Sequence, residues 1–203
     1  MTKINYQQQY KSLYKPSGKE FSIVEVLPLN FLMLDGAGDP NTVPAFPAAM
    51  QALYGLAYAL KFKVRALSGV DFGVMPLEGL WWTDGDGFDH DHRERWHWTL
   101  LIMQPEHVTA DLVHEMADEV AKKKKLPLVR DVRFEAYHEG LSAQILYTGS
   151  YADEGPTIAR LHEFMEHSGC TFNGKHHEIY LNDPTRTAPE RLQTVIRQPM
   201  RKV

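Results

Sequence analysis

Hydrophobic and polar positions change period several times along the chain, and each change marks an element. In "FSIVEVLPLNFLMLDGAG" short apolar stretches predict two strands, about 21–26 and 30–36, split by Pro28. The period then lengthens. In "DPNTVPAFPAAMQALYGLAYALKFK" the residues Met50, Leu53, Tyr54, Ala57, Tyr58 and Lys61 follow at helical spacing. Pro44 and Pro47 suit a first helical turn, where a missing N–H costs little. "DFGVMPLEGLWWTD" predicts a strand pair around Pro76, "GDGFDHDHRER" a polar loop, and "WHWTLLIMQP" a strand that stops at Pro105. In "TADLVHEMADEVA" Leu112, Met116 and Val120 recur every four residues, so a helix is expected. Lys122 to Lys125 then complement its C-terminal dipole as a solvated end.

The second half runs in a similar order. "DVRFEAYHEGLSAQILYTGSY" predicts two strands joined near Glu139–Gly140. "DEGPTIARLHEFMEHSG" predicts a helix with Pro156 in its first turn and Gly169 as its left-handed end, with Ile158, Leu161, Phe164 and Met165 as its apolar stripe. "HHEIYLND" reads as a strand. "TAPE", Thr187 to Glu190, has capping-box spacing for a short helical turn, and "LQTVIRQP" closes the order. Both halves thus run strand, glycine turn, helix, strand, strand, and both end in Gln-Pro. The order predicts an α+β fold of tandem pseudo-symmetric βαββ repeats, about 21–105 and 130–200, within one domain over 21–203 after a polar leader, 1–20. Antiparallel sheets would carry helices on one face and a ligand groove between repeats. In this alignment Glu78 falls opposite Glu178.

Composition narrows the partners. The chain has 203 residues, 43% hydrophobic and 24% charged, which is enough to bury a real core. Its formal net charge of −4 argues against nucleic acid. Cys170 is the only cysteine, so a disulfide within the chain and a thiolate zinc site are excluded. No apolar run reaches membrane-spanning length and the start lacks a signal-like apolar core, so a cytoplasmic protein that does not bind membranes is expected. The oligomeric state is left open.

The acidic and aromatic residues carry the candidate chemistry. On the "HHEIYL" strand Glu178 and Tyr180 share one face, and His177 and Ile179 the other. Glu178 is either an ordinary solvent-facing carboxylate or the floor of an apolar pocket. Burial among aromatics would raise its pKa, whereas a cationic ligand would favour the charged form. Trp81, Trp82, Trp96 and Trp98 all come from one short stretch. They read as core or as lining for a planar ligand, with Trp82 and Trp98 the candidates for lining. Glu78 and Tyr137 are further candidates, balanced between pocket and core. The loop residues Asp84, Asp86, Asp89, His90, Asp91 and His92 do not fit EF-hand spacing, and no metal or cofactor is expected. His176 and His177 read as polar residues flanking the strand, and Cys170 as a buried structural thiol. No G-x-S-x-G or Walker sequence appears.

"AQILYTGSYADEGPTIARLHEFMEHSGC" and "GKHHEIYLNDPTRTAPERLQTVIRQPM" together resemble the GyrI-like small-molecule-binding family, over roughly 20 to 200. Related domains form the drug-sensing half of BmrR-type regulators and the effector half of Rob-type activators. The resemblance implies paired βαββ units that bind aromatic or cationic compounds, with no preceding DNA-binding domain expected in this chain. Some stand-alone members open the strained cyclopropane of DNA-alkylating natural products. Carried onto this sequence, that implies Glu178 alone, as the acting carboxylate; by its own chemistry Tyr147 or Tyr180 would hydrogen-bond a developing oxyanion. Where relatives carry His in an "HIGPY"-like turn, this chain has "YTGSY", so the polar partner of Glu178 is left open. A non-catalytic module that sequesters or senses a ligand, and a gyrase-interacting protein, are the alternatives.

Overall fold

The computed structural model describes residues 2–84 and 92–203. Its strands are β1 (Thr2–Ile4), β2 (Ser22–Val26), β3 (Leu29–Ala37), β4 (Val70–Phe72), β5 (Leu77–Trp82), β6 (His97–Gln104), β7 (Arg133–Tyr137), β8 (Gly140–Thr148), β9 (Cys170–Phe172), β10 (His176–Tyr180) and β11 (Gln193–Lys202). Its helices are α1 (Tyr6–Gln9), α2 (Lys11–Tyr14), α3 (Ala45–Ser68), α4 (Ala110–Lys124) and α5 (Gly155–His167). This is the α+β composition that the two periods predict. The chain divides into two compact units, one of Leu29–Tyr137 with residues up to Tyr6, the other of Gln7–Pro28 with His138–Val203.

In the first unit β5, β6, β3 and β7 form an antiparallel sheet in that order. Alternation and register place Trp81, Trp98, Leu100, Ile102, Leu32 and Leu34 on one face. That face lies under the start of α3, where Phe46 stacks on Trp81 at 5.9 Å and meets Trp98 edge-on at 5.2 Å. α3 is built of Ala and Leu, strong helix formers, and buries Ala49, Ala52, Leu53, Leu56, Leu60 and Val64. Gly69 ends it at φ 72 with its N–H on the Arg65 carbonyl, a conformation that a side chain would strain. α4 packs against α3 and is capped at its start by Thr109, whose hydroxyl accepts from the Leu112 N–H. The strand pair expected around Pro76 is resolved differently. β4 pairs in parallel with β1, from the leader, and β5 pairs with β6.

In the second unit β2, β8, β11 and β10 form an antiparallel sheet. β2 precedes the first repeat in sequence, yet it pairs with β8, from Ser22 beside Gln144 to Val26 beside Gly140. β11 is long enough to pair with β8 and β10 early and with β9 at Met200–Lys202. One sheet face and α5 enclose a core of Ala143, Ile145, Ile158, Leu161, Met165, Cys170, Ile196 and Met200, edged by Phe21 stacked on Phe164 at 5.4 Å. Each large apolar side chain so enclosed contributes about 1.5–3 kcal/mol of transfer free energy. The other face is closed by α2. The leader is therefore not merely polar: Leu13 and Tyr14 are buried, and its carbonyls accept from Arg197, Gln144 and Leu146. The turn expected at Thr187–Glu190 is a single 3-10 turn, Pro189–Arg191, with no side-chain cap.

Candidate functional site

Period-two alternation on β10 sends His176, Glu178 and Tyr180 to one face and His177 and Ile179 to the other. Register then identifies the faces. Glu178 stands beside Ile196, which stands beside Ile145, and both isoleucines belong to the core under α5. Tyr180, Thr194 and Tyr147 form the adjacent cross-strand row on the same face. Glu178 thus lies on the sheet face that its own helix covers, with only 13% of its side chain exposed.

Both carboxylate oxygens of Glu178 are engaged. The Tyr180 hydroxyl donates to Oε2 at 2.7 Å, and His176 Nε2 lies 3.3 Å from Oε1. Glu154, the residue at the start of α5, is buried and adds to the groups that favour the charge on Glu178. Burial alone would push the Glu178 carboxyl up. The hydrogen bond and charge of His176, then the Tyr180 bond and Glu154, outweigh burial and hold it below its usual value. Glu178 is therefore held in its charged form, contrary to the expectation from burial alone. The aromatic surround is local: Tyr151, on the 3-10 turn before α5, meets Tyr180 edge-on at 5.6 Å. Tyr147 donates its hydroxyl to the Ser150 carbonyl at 3.0 Å. Burial, then the charges of Glu154 and Asp153, raise the pKa of that phenol, so it stays protonated at neutral pH.

The other face of β10 carries a separate, fully enclosed network. His177 Nδ1 lies 2.8 Å from Glu139 Oε1, and Arg197 donates to Glu139 Oε2 at 2.9 Å, to Gln144 at 3.0 Å and to the Leu13 carbonyl at 2.7 Å. Burial opposes the Glu139 charge, but His177 and Arg197 overcome it and lower its pKa to about 2. Every atom of this network that touches the leader fixes α2 to the sheet, which reads as structure rather than chemistry. His177 thus divides from its neighbour His176, although both read from sequence as strand-flanking residues.

The first-unit candidates are arranged otherwise. Glu78 is buried on β5, on the same face as Trp82 and opposite to Trp81. Trp81 pairs with Trp98 and Trp82 with His97, so Trp82 and Trp98 take opposite faces of the sheet. Trp98 is 1% exposed in the core beneath α3, close enough to Gly36 that any Cβ there would fall 2.1 Å from the ring. Trp82 is half-buried and stacks on His97 at 5.5 Å. Tyr137 meets Phe31 edge-on at 6.4 Å on β7. The pairing of Glu78 with Glu178 across the repeat is corrected by register. Counted from the Gln-Pro at the end of each long strand, Glu78 pairs three residues back, at Leu101, and Glu178 two back, at Ile196. A slip of one residue sends a side chain to the other face. Glu78 is thus the positional counterpart of Ile179.

Of the expected residues, Glu178, Tyr180 and Tyr147 come together in one unit. Two partners of Glu178 were not expected. His176 was legible in the His-x-Glu-x-Tyr alternation, which puts all three on one face. Glu154 carries no local signal, because its role depends on where α5 begins over the sheet. Of the loop candidates for metal, Asp86, Asp89, His90 and Asp91 lie outside the described residues, and Asp84 lies 3.3 Å from His97. Among the described residues no group of three or more His, Cys, Asp or Glu is placed to hold a metal ion, and no helix is long and apolar enough to cross a membrane.

Comparison with known proteins follows the geometry. The GyrI-like small molecule binding domain matches residues 19–201. A conserved protein from Listeria innocua is 35% identical, with 98% of this chain and 100% of that chain covered and a TM-score of 0.91. A protein described as a hydrolase from Listeria innocua is 35% identical over 98% of this chain and 100% of that chain, with a TM-score of 0.87. The C-terminal domain of EcmrR shares the fold at 10% identity, over 91% of this chain and 98% of that chain, with a TM-score of 0.56. No curated protein matches.

Proposed function

Since this chain belongs to the GyrI-like small-molecule-binding domain family, we propose that it takes up aromatic or cationic compounds at the Glu178 cluster and hydrolyses electrophiles that carry a strained cyclopropane. One observation carries the reading: a mostly buried, ionised carboxylate held by Tyr180 and His176 within an aromatic surround. Such a carboxylate attracts a cation, and tyrosine faces add about 0.5–2 kcal/mol of cation–π attraction. It also serves as a general base once water comes within hydrogen-bond reach.

The chemistry balances without a cofactor. Glu178 takes a proton from water, and the water oxygen bonds a ring carbon. The ring C–C bond breaks, and its electron pair passes into the conjugated carbonyl, whose oxygen takes up a proton. The neutral phenol of Tyr147 or Tyr180 donates a hydrogen bond to that oxygen as charge develops. The description of a Listeria innocua relative as a hydrolase supports the same reading.

The test is conversion of a cyclopropane-containing alkylator by purified protein, followed by chromatography. Wild-type protein is expected to turn over many equivalents, and Glu178→Gln to lose roughly 100-fold or more in kcat, as befits loss of a general base. Equal slow conversion by both proteins sinks catalysis. Saturation at one ligand per chain without product assigns the protein to ligand sequestration, a reading favoured by the engagement of both Glu178 oxygens.

A further inference from the structure

A phenol has one proton to donate, and two tyrosines of the Glu178 cluster give theirs to different acceptors. Tyr180 on β10 donates to the Glu178 carboxylate at 2.7 Å, and Tyr147 on β8 donates to the Ser150 carbonyl at 3.0 Å. The second bond lies within the turn that leads from β8 to α5. Further bonds close that turn. The Gly149 N–H donates to the Leu192 carbonyl at 3.0 Å and the Asp153 N–H to the Ser150 carbonyl at 3.1 Å. The Ser150 hydroxyl donates to Asp153 at 2.6 Å. Gly149 has φ 153, and a Cβ there would fall on the Tyr147 hydroxyl, so a side chain at 149 would push that hydroxyl away from Ser150. The Tyr147 ring itself packs against the core under α5. The turn is thus anchored to the sheet through Tyr147, and the residue it carries outward is Tyr151. That ring is 38% exposed and meets Tyr180 edge-on at 5.6 Å, with 79° between the planes. Two rings near a right angle form a corner that takes one flat ring, face against one wall and edge against the other. The Tyr180 wall ends at its hydroxyl, on Glu178 Oε2.

We propose that Tyr147 is a positioning residue rather than a donor to the substrate: by holding the turn 149–153 it sets Tyr151 against Tyr180 as the wall on which a flat ligand packs beside Glu178. The proposal rests on the reading of the Glu178 cluster as the ligand site, and it narrows that reading. A flat aromatic cation gains ring contact from Tyr151 and attraction from the Glu178 charge. The role of donor to a developing oxyanion then falls to Tyr180. As Glu178 takes the proton from water, negative charge passes from the carboxylate to the substrate oxygen. The Tyr180 phenol can turn from the one to the other. The acceptor of Tyr147 is a main-chain carbonyl whose charge does not change in the reaction, so that bond persists throughout.

Ethidium binding, followed by fluorescence, tests the wall, and a double-mutant cycle tests the route through Tyr147. Tyr151→Ala is expected to weaken ethidium binding roughly 2- to 10-fold, as for loss of one aromatic contact. Tyr147→Phe, which keeps the ring in the core, should show a loss of the same kind, and the double variant should lose no more than Tyr151→Ala alone. Wild-type protein that binds no ethidium, or Tyr151→Ala with wild-type affinity, overturns the wall. Wild-type affinity in Tyr147→Phe, or losses that add in the double variant, overturns the positioning role. Should Tyr147→Phe fail to fold, as checked by circular dichroism, Gly149→Ala keeps the phenol and displaces it from Ser150. The same loss is expected there, and wild-type affinity overturns the positioning role. With a cyclopropane-containing alkylator, Tyr147→Phe should raise KM and leave kcat within about twofold of wild type. A kcat lower by roughly 100-fold would make Tyr147 the oxyanion donor and overturn the proposal. Failure of the underlying reading shows separately. A loss in Tyr151→Ala with none in Glu178→Gln sinks the Glu178 site and leaves the wall standing, and absence of product sinks hydrolysis alone.

Discussion

Glu139, bonded to His177, and Glu178 lie on opposite faces of β10, and at the scale of single residues they show what burial does to a carboxylate. Both are removed from water, which opposes charge. Both remain charged because specific donors outweigh that cost. Glu139 has an arginine and a histidine, and its pKa falls from 4.5 to about 2. A folded pKa below the unfolded one means stability that is complete above pH 4.5 and lost as pH falls towards 2. A displacement of this size corresponds to about 3 kcal/mol. Unfolding by urea at a series of pH values should therefore show wild-type stability falling across that window. Glu139→Gln should be destabilised at neutral pH by about 3–5 kcal/mol, since it leaves a buried guanidinium beside an uncharged amide. The variant's own profile should be flatter there. A parallel loss in both proteins would remove Glu139 as the cause. Little of this was legible in sequence. Glu139 reads as a turn residue beside Gly140, and only the folded register brings Arg197 and His177 to it.

At the scale of elements, long periodic segments were the legible part. α3, α4 and α5 follow from their apolar spacing and end signals, and β3, β6, β8, β10 and β11 from alternation. Short elements were not legible, because their stability comes from a partner. β9 has three residues and exists through pairing with the end of β11. β1 exists through β4. The leader was misread for the same reason. Its composition is polar, but a few apolar side chains suffice once a sheet face is offered to them. Leu13 is 7% exposed on α2, the helix whose Ser12 and Leu13 carbonyls accept from Gln144 and Arg197. Leu13→Ala keeps those carbonyls and removes the packing beneath them. It should cost about 2–4 kcal/mol in urea unfolding, as for other buried leucines. A polar tail would show less than about 0.5 kcal/mol, the value usual for surface positions. The same reasoning explains Glu154: a helix start can be read from Pro156, but the sheet residue beneath it cannot.

For the whole molecule, the repeat was legible as an order of elements and misleading as a residue register. Counting from Gln104-Pro105 and Gln198-Pro199 puts Glu78 on the wrong face to match Glu178, although the flanking motifs align. The repeat also hid the division of the chain. The second unit takes α2 and β2 from before the first repeat, so neither compact unit is a continuous half of the sequence. Residues 138–203 hold β8, β10 and β11 with α5 but lack the strand that pairs with β8. They also lack the leader that accepts from Arg197 and Gln144. In the isolated fragment the Glu139–Arg197 pair loses its cover, and the outer side of β8 has no backbone partner, which makes it an exposed strand edge. The fragment 138–203 should therefore unfold without a cooperative transition. A peptide of residues 7–28 added in trans should restore strand signal in circular dichroism and a sigmoidal melt that depends on peptide concentration. Replacing Leu13 by Ala in that peptide should weaken the rescue in proportion to the loss measured in the intact chain. A fragment that melts cooperatively without the peptide would show that the leader and β2 are covering rather than core. The fold would then be two repeats in series, as the order of elements alone suggested.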